Sequence, residues 1–283
     1  MICIYHKADL DGICSGAVVK RKYPDAKMIG WDYGEEVPWR EFVGEKEIVL
    51  IDITFPMKDL VDMAVNATVT IIDHHIGFRK EWDSLDQILV PPINYIYEAG
   101  IAACEIGWKY FFPDEPLPKG IEYLSKYDTW RENGQESWNK EILPYQYGIR
   151  LTCNSIDTFP ENNVFEGGLG TALDIIEKGK EIIKFQKVQN ENLCANFAFP
   201  MTFKGLRAIC LNQGRSSSVS FESIWDEDKY DIMMPFVYNG KFWKWSLYTT
   251  KDIDCSVLAK TMGGGGHKQA SGFETKTFEE AFI

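Results

Sequence analysis

Apolar, strand-like runs alternate with helical stretches through the first 75 residues, and this alternation restricts the fold more than any other feature. Ile2–His6, Lys27–Trp31, Glu47–Asp52 and Val69–Asp73 read as strands, with helices over about Gly12–Tyr23 and Met57–Ala67. Parallel strands need a crossover, and a helix supplies it, so the pattern predicts βαβ units. The expected class is α/β. A doubly wound, mainly parallel sheet should occupy residues 1–167, a connector helix and linker 168–199, and a smaller α/β domain with a mixed sheet 200–283. An amphipathic helix is expected over Ala99–Phe111, and a second over Lys119–Lys126 that delivers Tyr127-Asp128-Thr129-Trp130. Thr171 to about Ala195 reads as the connector. Beyond it, Met201–Phe203, Ala208–Asn212, Asp231–Tyr238 and Phe242–Thr249 read as short strands, followed by a short helix and a glycine run.

At 283 residues, 45% hydrophobic and 25% charged, the chain is long enough to bury a core without disulfide staples. Seven cysteines, an odd number with no Cys-x-x-Cys pair, fit neither a disulfide framework nor a zinc ribbon. They read as reduced, buried thiols. No run of 18 apolar residues and no signal-like N-terminus is present, so a cytoplasmic protein without membrane partners is expected. A formal net charge of −12 disfavours a broad face for long duplex nucleic acid, while short anionic substrates stay open.

Six candidate metal ligands fall in four patches. His6-x-x-Asp9-x-Asp11-Gly12 follows the first strand, where two carboxylates can face one cavity and Gly12 permits a tight turn into a helix. An Asp helix cap beside an accidental histidine is the plainer reading of that patch. Asp52 ends a strand and could be only a turn residue. Asp73-His74-His75 ends another strand, and three consecutive polar groups after an apolar run are hard to satisfy without a function. Asp128 alone says little. Three patches lie at strand C-terminal ends, where open α/β sheets place their sites.

Three of the four histidines lie in those patches, and the fourth, His267, comes directly after four glycines. Gly264, Gly265 and Gly266 would let backbone approach a phosphate, with His267, Lys268 and the start of a helix adding donors and positive potential. A flexible surface turn is the alternative. Arg215, in a polar loop with Ser216-Ser217-Ser218, could donate to phosphates or simply be solvated. Tyr248 could stack on a base or pack in a sheet, and Trp243 and Trp245, two apart on one strand, read as packed.

Taken together, these residues resemble the DHH phosphoesterase superfamily, in the nanoRNase- and oligoribonuclease-like branch with a glycine-rich, DHH-associated C-terminal domain. The resemblance runs from residue 6 to residue 272 through His6-x-x-Asp9-x-Asp11-Gly12, Asp52, Asp73-His74-His75, Asp128-Thr129-Trp130 and Gly264-Gly265-Gly266-His267-x-x-Ala270-Ser271-Gly272. It implies a site for two Mn²⁺, with Mg²⁺ as the alternative. His6 and Asp9 would serve one ion, Asp11 and His74 the other, and Asp52 and Asp128 would bridge both. His75 would act on the scissile phosphate, with Asp73 orienting the histidines. The implied activity is hydrolysis of short single-stranded oligonucleotides, with nucleoside 3′,5′-bisphosphate as a further substrate, by two-metal activation of a bridging water. The glycine loop with His267 would anchor a substrate phosphate. A homodimer is compatible with the resemblance.

The first patch departs from other branches in having two residues between His6 and Asp9. Tyr248 also stands where many members carry a phosphate-binding arginine. Pyrophosphatase or exopolyphosphatase, cyclic-dinucleotide phosphodiesterase and RecJ-like exonuclease activities share the metal set and stay open. A non-catalytic nucleotide-binding regulatory module is the competing class.

Overall fold

The computed structural model describes residues 1–85 and 93–282. The chain divides into two compact units, Met1–Ile183 and Lys184–Ile283. In the first, β1 (Ile2–His6), β2 (Lys27–Trp31), β3 (Glu47–Ile51), β4 (Thr68–Asp73) and β5 (Ile93–Tyr97) form one sheet in the order β2-β1-β3-β4-β5. Every pairing is parallel. Crossovers include α1 (Leu10–Lys22), α2 (Met57–Ala64) and α3 (Ile76–Asp83).

Side chains two apart on a strand share a face, and here the two faces enter different cores. Ile2, Ile4, Ile48, Leu50, Val69 and Ile71 pack with Phe55, Leu60 and Met63 on the α2 side. Cys3, Tyr5, Val49, Ile51 and Ile72 pack on the other side, with Val18 of α1 and Trp108 of α4 (Ala103–Phe111). Burial on both faces explains why these strands read as continuous apolar runs. From β1 the sheet grows one way to β2 and the other way to β3, so the order reverses between β1 and β3. That switch point opens a crevice at the strand C-terminal ends.

Several helix boundaries differ from expectation. Helix α1 begins at Leu10 because Asp9 caps it, accepting from the Gly12 amide at 2.9 Å. Helix α4 begins at Ala103 instead of Ala99: Gly100 takes φ +82°, and Asp11 accepts from the Ala103 and Cys104 amides at 3.0 and 2.9 Å. Helix α5 (Lys119–Asp128) runs two residues further than expected, so Asp128 is its last residue and not a loop residue. Next come α6 (Leu143–Ile149) and α7 (Leu169–Phe197), a 29-residue helix in which the division between the two units falls.

The second unit contains β6 (Phe199–Phe203), β7 (Leu206–Asn212), β8 (Ile232–Tyr238), β9 (Trp243–Tyr248), α8 (Cys255–Thr261), β10 (Gly265–His267) and β11 (Ala270–Thr275). Its sheet has the order β10-β11-β9-β8-β7-β6 and is mixed, with β7 and β8 parallel and the other pairs antiparallel. Trp245 is buried and stacks on Phe236, as the packed reading of that strand requires.

The helix expected after the glycines is absent; β10 and β11 form a hairpin instead. Residues 270–275 bury Ser271, Phe273 and Thr275, a period of two that suits a strand and not a helix. Gly266, at φ +137°, has no room for a side chain, since a Cβ there would lie 2.6 Å from the Ser271 Cα. All seven cysteines are free and buried. Among the described residues, no helix is long and apolar enough to cross a membrane.

Candidate metal centre

The switch-point crevice gathers the four ligand patches. His6 ends β1, Asp9 and Asp11 open α1, Asp52 comes after β3, and His74 after β4. Asp128 joins them from the end of α5. His6 Nδ1 lies 3.0 Å from Asp9 Oδ2 and 3.4 Å from Asp52 Oδ2. His74 Nε2 lies 3.4 Å from Asp52 Oδ1, 3.3 Å from Asp128 Oδ2 and 3.6 Å from Asp11 Oδ2. Asp52 therefore faces both imidazoles with opposite oxygens.

Three residue sets have donor atoms within 4.8 Å of one another: His6, Asp9 and Asp52; Asp11, His74 and Asp128; and Asp52, His74 and His75. The first two contain all six expected ligands without overlap. The third adds His75 as a neighbour of Asp52 and His74, in a place where the sequence suggested only a substrate contact.

Several observations test whether divalent cations suit this cluster. Buried His6 Nδ1 and Asp52 Oδ1 have no hydrogen-bond partner among the described residues, although buried polar atoms ordinarily find one. Burial pushes Asp11 well above the usual carboxylate range, and repulsion from Asp52 and Asp128 pushes it further. Burial also raises Asp128 to about 6; attraction to His74 opposes the rise, and Asp52 and Asp9 add to it. Burial alone would lower His6, but the adjacent Asp52 and Asp9 carboxylates more than offset it and hold the imidazole at about 10. Negative charge confined without enough positive charge, together with unpartnered donor atoms, is a set that cations complete. Each Asp11 oxygen already accepts one backbone amide and keeps a further lone pair for a metal.

Asp73 is fully buried and ties the His74-His75 segment together. Its Oδ1 accepts from the His74 amide at 2.9 Å and lies 2.7 Å from His75 Nδ1. That contact raises His75 to about 9 and directs its other nitrogen away from Asp73. Asp52 itself takes φ +59°, an uncommon conformation for a residue with a side chain, while its amide donates to the Ile72 carbonyl at 2.9 Å.

Sequence reasoning missed Asp32 and the residues behind Asp128. Asp32 Oδ1 lies 3.3 Å from His6 Nε2, on the side of the ring away from Asp9. Its one available signal was its position directly after a strand. Glu105, buried in α4, accepts from the Ser125 hydroxyl and from Arg131 Nη2, both at 2.7 Å. Ser125 in turn accepts from the Ala102 amide at 3.0 Å. This network joins α4 to the turn of α5 that presents Asp128.

The expected substrate residues lie in the second unit. The sheet register sets His267 opposite Ala270 and Ala270 opposite Tyr248. The Tyr248 hydroxyl donates to the Ser216 carbonyl at 3.2 Å, which brings the Arg215 loop to the same end of that sheet. Arg215 is exposed at φ +54°. Gly264 has no room for a Cβ beside the Gly272 carbonyl, so the backbones approach closely there. Lys268 is paired with Asp252, which reduces the positive potential it offers.

Residues 1–130 match the model of the DHH family, N-terminal domain. Uncharacterized protein R106 of Acanthamoeba polyphaga mimivirus is 24% identical over 247 residues, 81% of this chain and 53% of that protein. The chain thus spans about half the length of the curated relative it matches. The DHH domain of a member of the s1p family of ribosomal proteins is similar in structure with a TM-score of 0.56 at 14% identity, over 96% of this chain and 81% of that one. The pGpG-specific phosphodiesterase PggH of Vibrio cholerae gives 0.53 at 12% identity, over 98% and 94%. At these identities the likeness is one of fold.

Proposed function

With residues 1–130 belonging to the DHH family as the premise, we propose that the chain is a divalent-cation-dependent phosphodiesterase that cleaves short single-stranded oligonucleotides to mononucleotides. The observation that carries this reading is the pair of three-residue donor sets, His6/Asp9/Asp52 and Asp11/His74/Asp128, side by side at the sheet switch point. Two Mn²⁺ held by these residues, or Mg²⁺ in their place, would supply positive charge for the phosphate and lower the pKa of a bound water. Imidazole mixed with carboxylate favours Mn²⁺ over Mg²⁺.

The chain's own groups supply position and proton control. Asp52 reaches toward both sets, and Asp128 adds a carboxylate from the opposite helix. Asp73 fixes the His75 ring, and the half-exposed side chain leaves its other nitrogen suited to exchanging a proton at a phosphate oxygen. The second unit is proposed to anchor a substrate phosphate through the Gly264–His267 backbone, Lys268 and Arg215, with Tyr248 beside them. A fold shared with a pGpG-specific phosphodiesterase supports a nucleotide substrate. The net charge of −12 argues against long polyanions.

The test is a substrate panel of a dinucleotide, a five-residue oligomer, a cyclic dinucleotide, a nucleoside 3′,5′-bisphosphate and pyrophosphate, each with Mn²⁺ and with Mg²⁺. The dinucleotide and the short oligomer should turn over fastest, with Mn²⁺ the better ion. Preference for pyrophosphate over every nucleotide would reject the reading.

A further inference from the structure

Beside His75 the first unit has a cavity of about 700 Å³ that the metal chemistry does not use. It falls within the ~300–1,000 Å³ typical of small-molecule sites. Its lining is mainly apolar and aromatic: Trp31, Phe55 and Phe78 are buried side chains that also border it. At the same cavity Tyr33 is 55% exposed and Ile76 58%, large apolar groups left open beside a candidate catalytic histidine. Solvent exposure of such a cluster marks a binding surface more often than a packing defect.

The aromatic residues are held in place from behind. Trp31 meets Phe55 edge to face at 4.8 Å and Tyr33 at 5.8 Å, and its indole nitrogen donates to the Glu36 carbonyl at 3.1 Å. Tyr33 lies 6.0 Å from the His6 ring, so the cavity wall continues into the ligand cluster. A flat aromatic ligand would find stacking surfaces here, with its phosphate side directed to His75.

Polar groups narrow the choice of ligand. Glu35 is already paired with Lys7 and accepts from the Asp32 amide at 3.1 Å. The carboxylate of Glu81, also in the lining, has no hydrogen bond or ion pair among the described residues. A carboxylate only accepts, and of the four common bases guanine alone presents two adjacent N–H donors on its pairing edge.

We propose that this cavity is a nucleobase subsite, continuous with the metal centre, in which Glu81 selects guanine. The assignment rests on the nucleotide reading above, but its test is independent of hydrolysis. Nucleosides carry no phosphate, and a chelator removes the cations. Saturation-transfer NMR with guanosine, adenosine, cytidine and uridine in EDTA should show guanosine bound best.

Gly77 lines the cavity, and a Cβ there would meet nothing within 4 Å, so Gly77→Trp can fill the space without displacing α3. Guanosine saturation should disappear in Gly77→Trp and fall at least fivefold in Tyr33→Ala, each shown to be folded by circular dichroism. Glu81→Gln should erase the preference for guanosine over adenosine. Equal signals for all four nucleosides in the unaltered protein, or undiminished guanosine binding in folded Gly77→Trp or in Tyr33→Ala, would overturn the proposal. Loss of the proposed phosphodiesterase activity alone would leave it standing.

Discussion

Asp52 concentrates the tension of the site in one residue. It is buried, has φ +59°, and faces His6 and His74 with different oxygens. A left-handed backbone at a residue with a side chain costs on the order of 1–3 kcal/mol, a cost that glycine does not carry. Asp52→Gly should therefore be more stable than Asp52→Ala by about 1 kcal/mol in denaturant titration, though both lose the shared carboxylate. Equal stability would mean that the conformation is not strained.

The imidazoles set the proton balance of cation binding. Without cations, His6 stays protonated up to about pH 10, and His74 is also raised: burial would lower it, but Asp52 more than compensates. A ligating histidine must be neutral, so cation binding at pH 7 has to release protons, and affinity should rise with pH toward that value. Calorimetry of Mn²⁺ binding in buffers of different ionisation enthalpy measures the release directly. No proton release would exclude His6 and His74 as ligands.

At the scale of elements, the candidate metal centre depends on the α4–α5 pair as much as on the strand tips. Burial opposes the charge on Glu105, but hydrogen bonds from Ser125, Arg131 and Lys109 more than offset it and hold its pKa below the ordinary range. A depressed carboxylate contributes stability that is present above the unfolded value, near 4.3, and is lost as pH falls below it. Glu105→Gln should cost about 1–3 kcal/mol at pH 7, with the difference from the unaltered protein shrinking as pH falls below about 4. A pH-independent difference would assign the loss to packing alone.

The βαβ alternation was readable because both sheet faces are buried, which leaves apolar runs punctuated by helices. Asp73-His74-His75 was readable because a polar trio ends one of those runs. The Glu105–Arg131 pair was not, since its partners are 26 residues apart and only the packing of α4 on α5 joins them. Asp32 and Tyr33 escaped notice because β2 is the partly exposed edge of its sheet, with only Trp31 fully buried. The glycine run misled about the next element: four glycines suggested a phosphate loop entering a helix, whereas the period-two burial of residues 270–275 makes a hairpin.

For the whole molecule, the decisive property is that a chain of net charge −12 folds four of its carboxylates, Asp9, Asp11, Asp52 and Asp128, around two histidines at one sheet edge. Such a concentration of negative charge is costly unless cations share it, and with cations it becomes a site for anionic substrates. The neighbouring aromatic cavity is proposed to take a base, and the glycine hairpin of the second unit is proposed to take a phosphate. The most direct test is release of mononucleotide from an end-labelled dinucleotide in Mn²⁺, compared across the unaltered protein, His74→Ala and Asp128→Ala. Turnover should vanish with chelator and fall by on the order of 100-fold or more in each folded variant. Turnover close to that of the unaltered protein in either variant, or undiminished in chelator, would contradict a hydrolytic metal centre at this site.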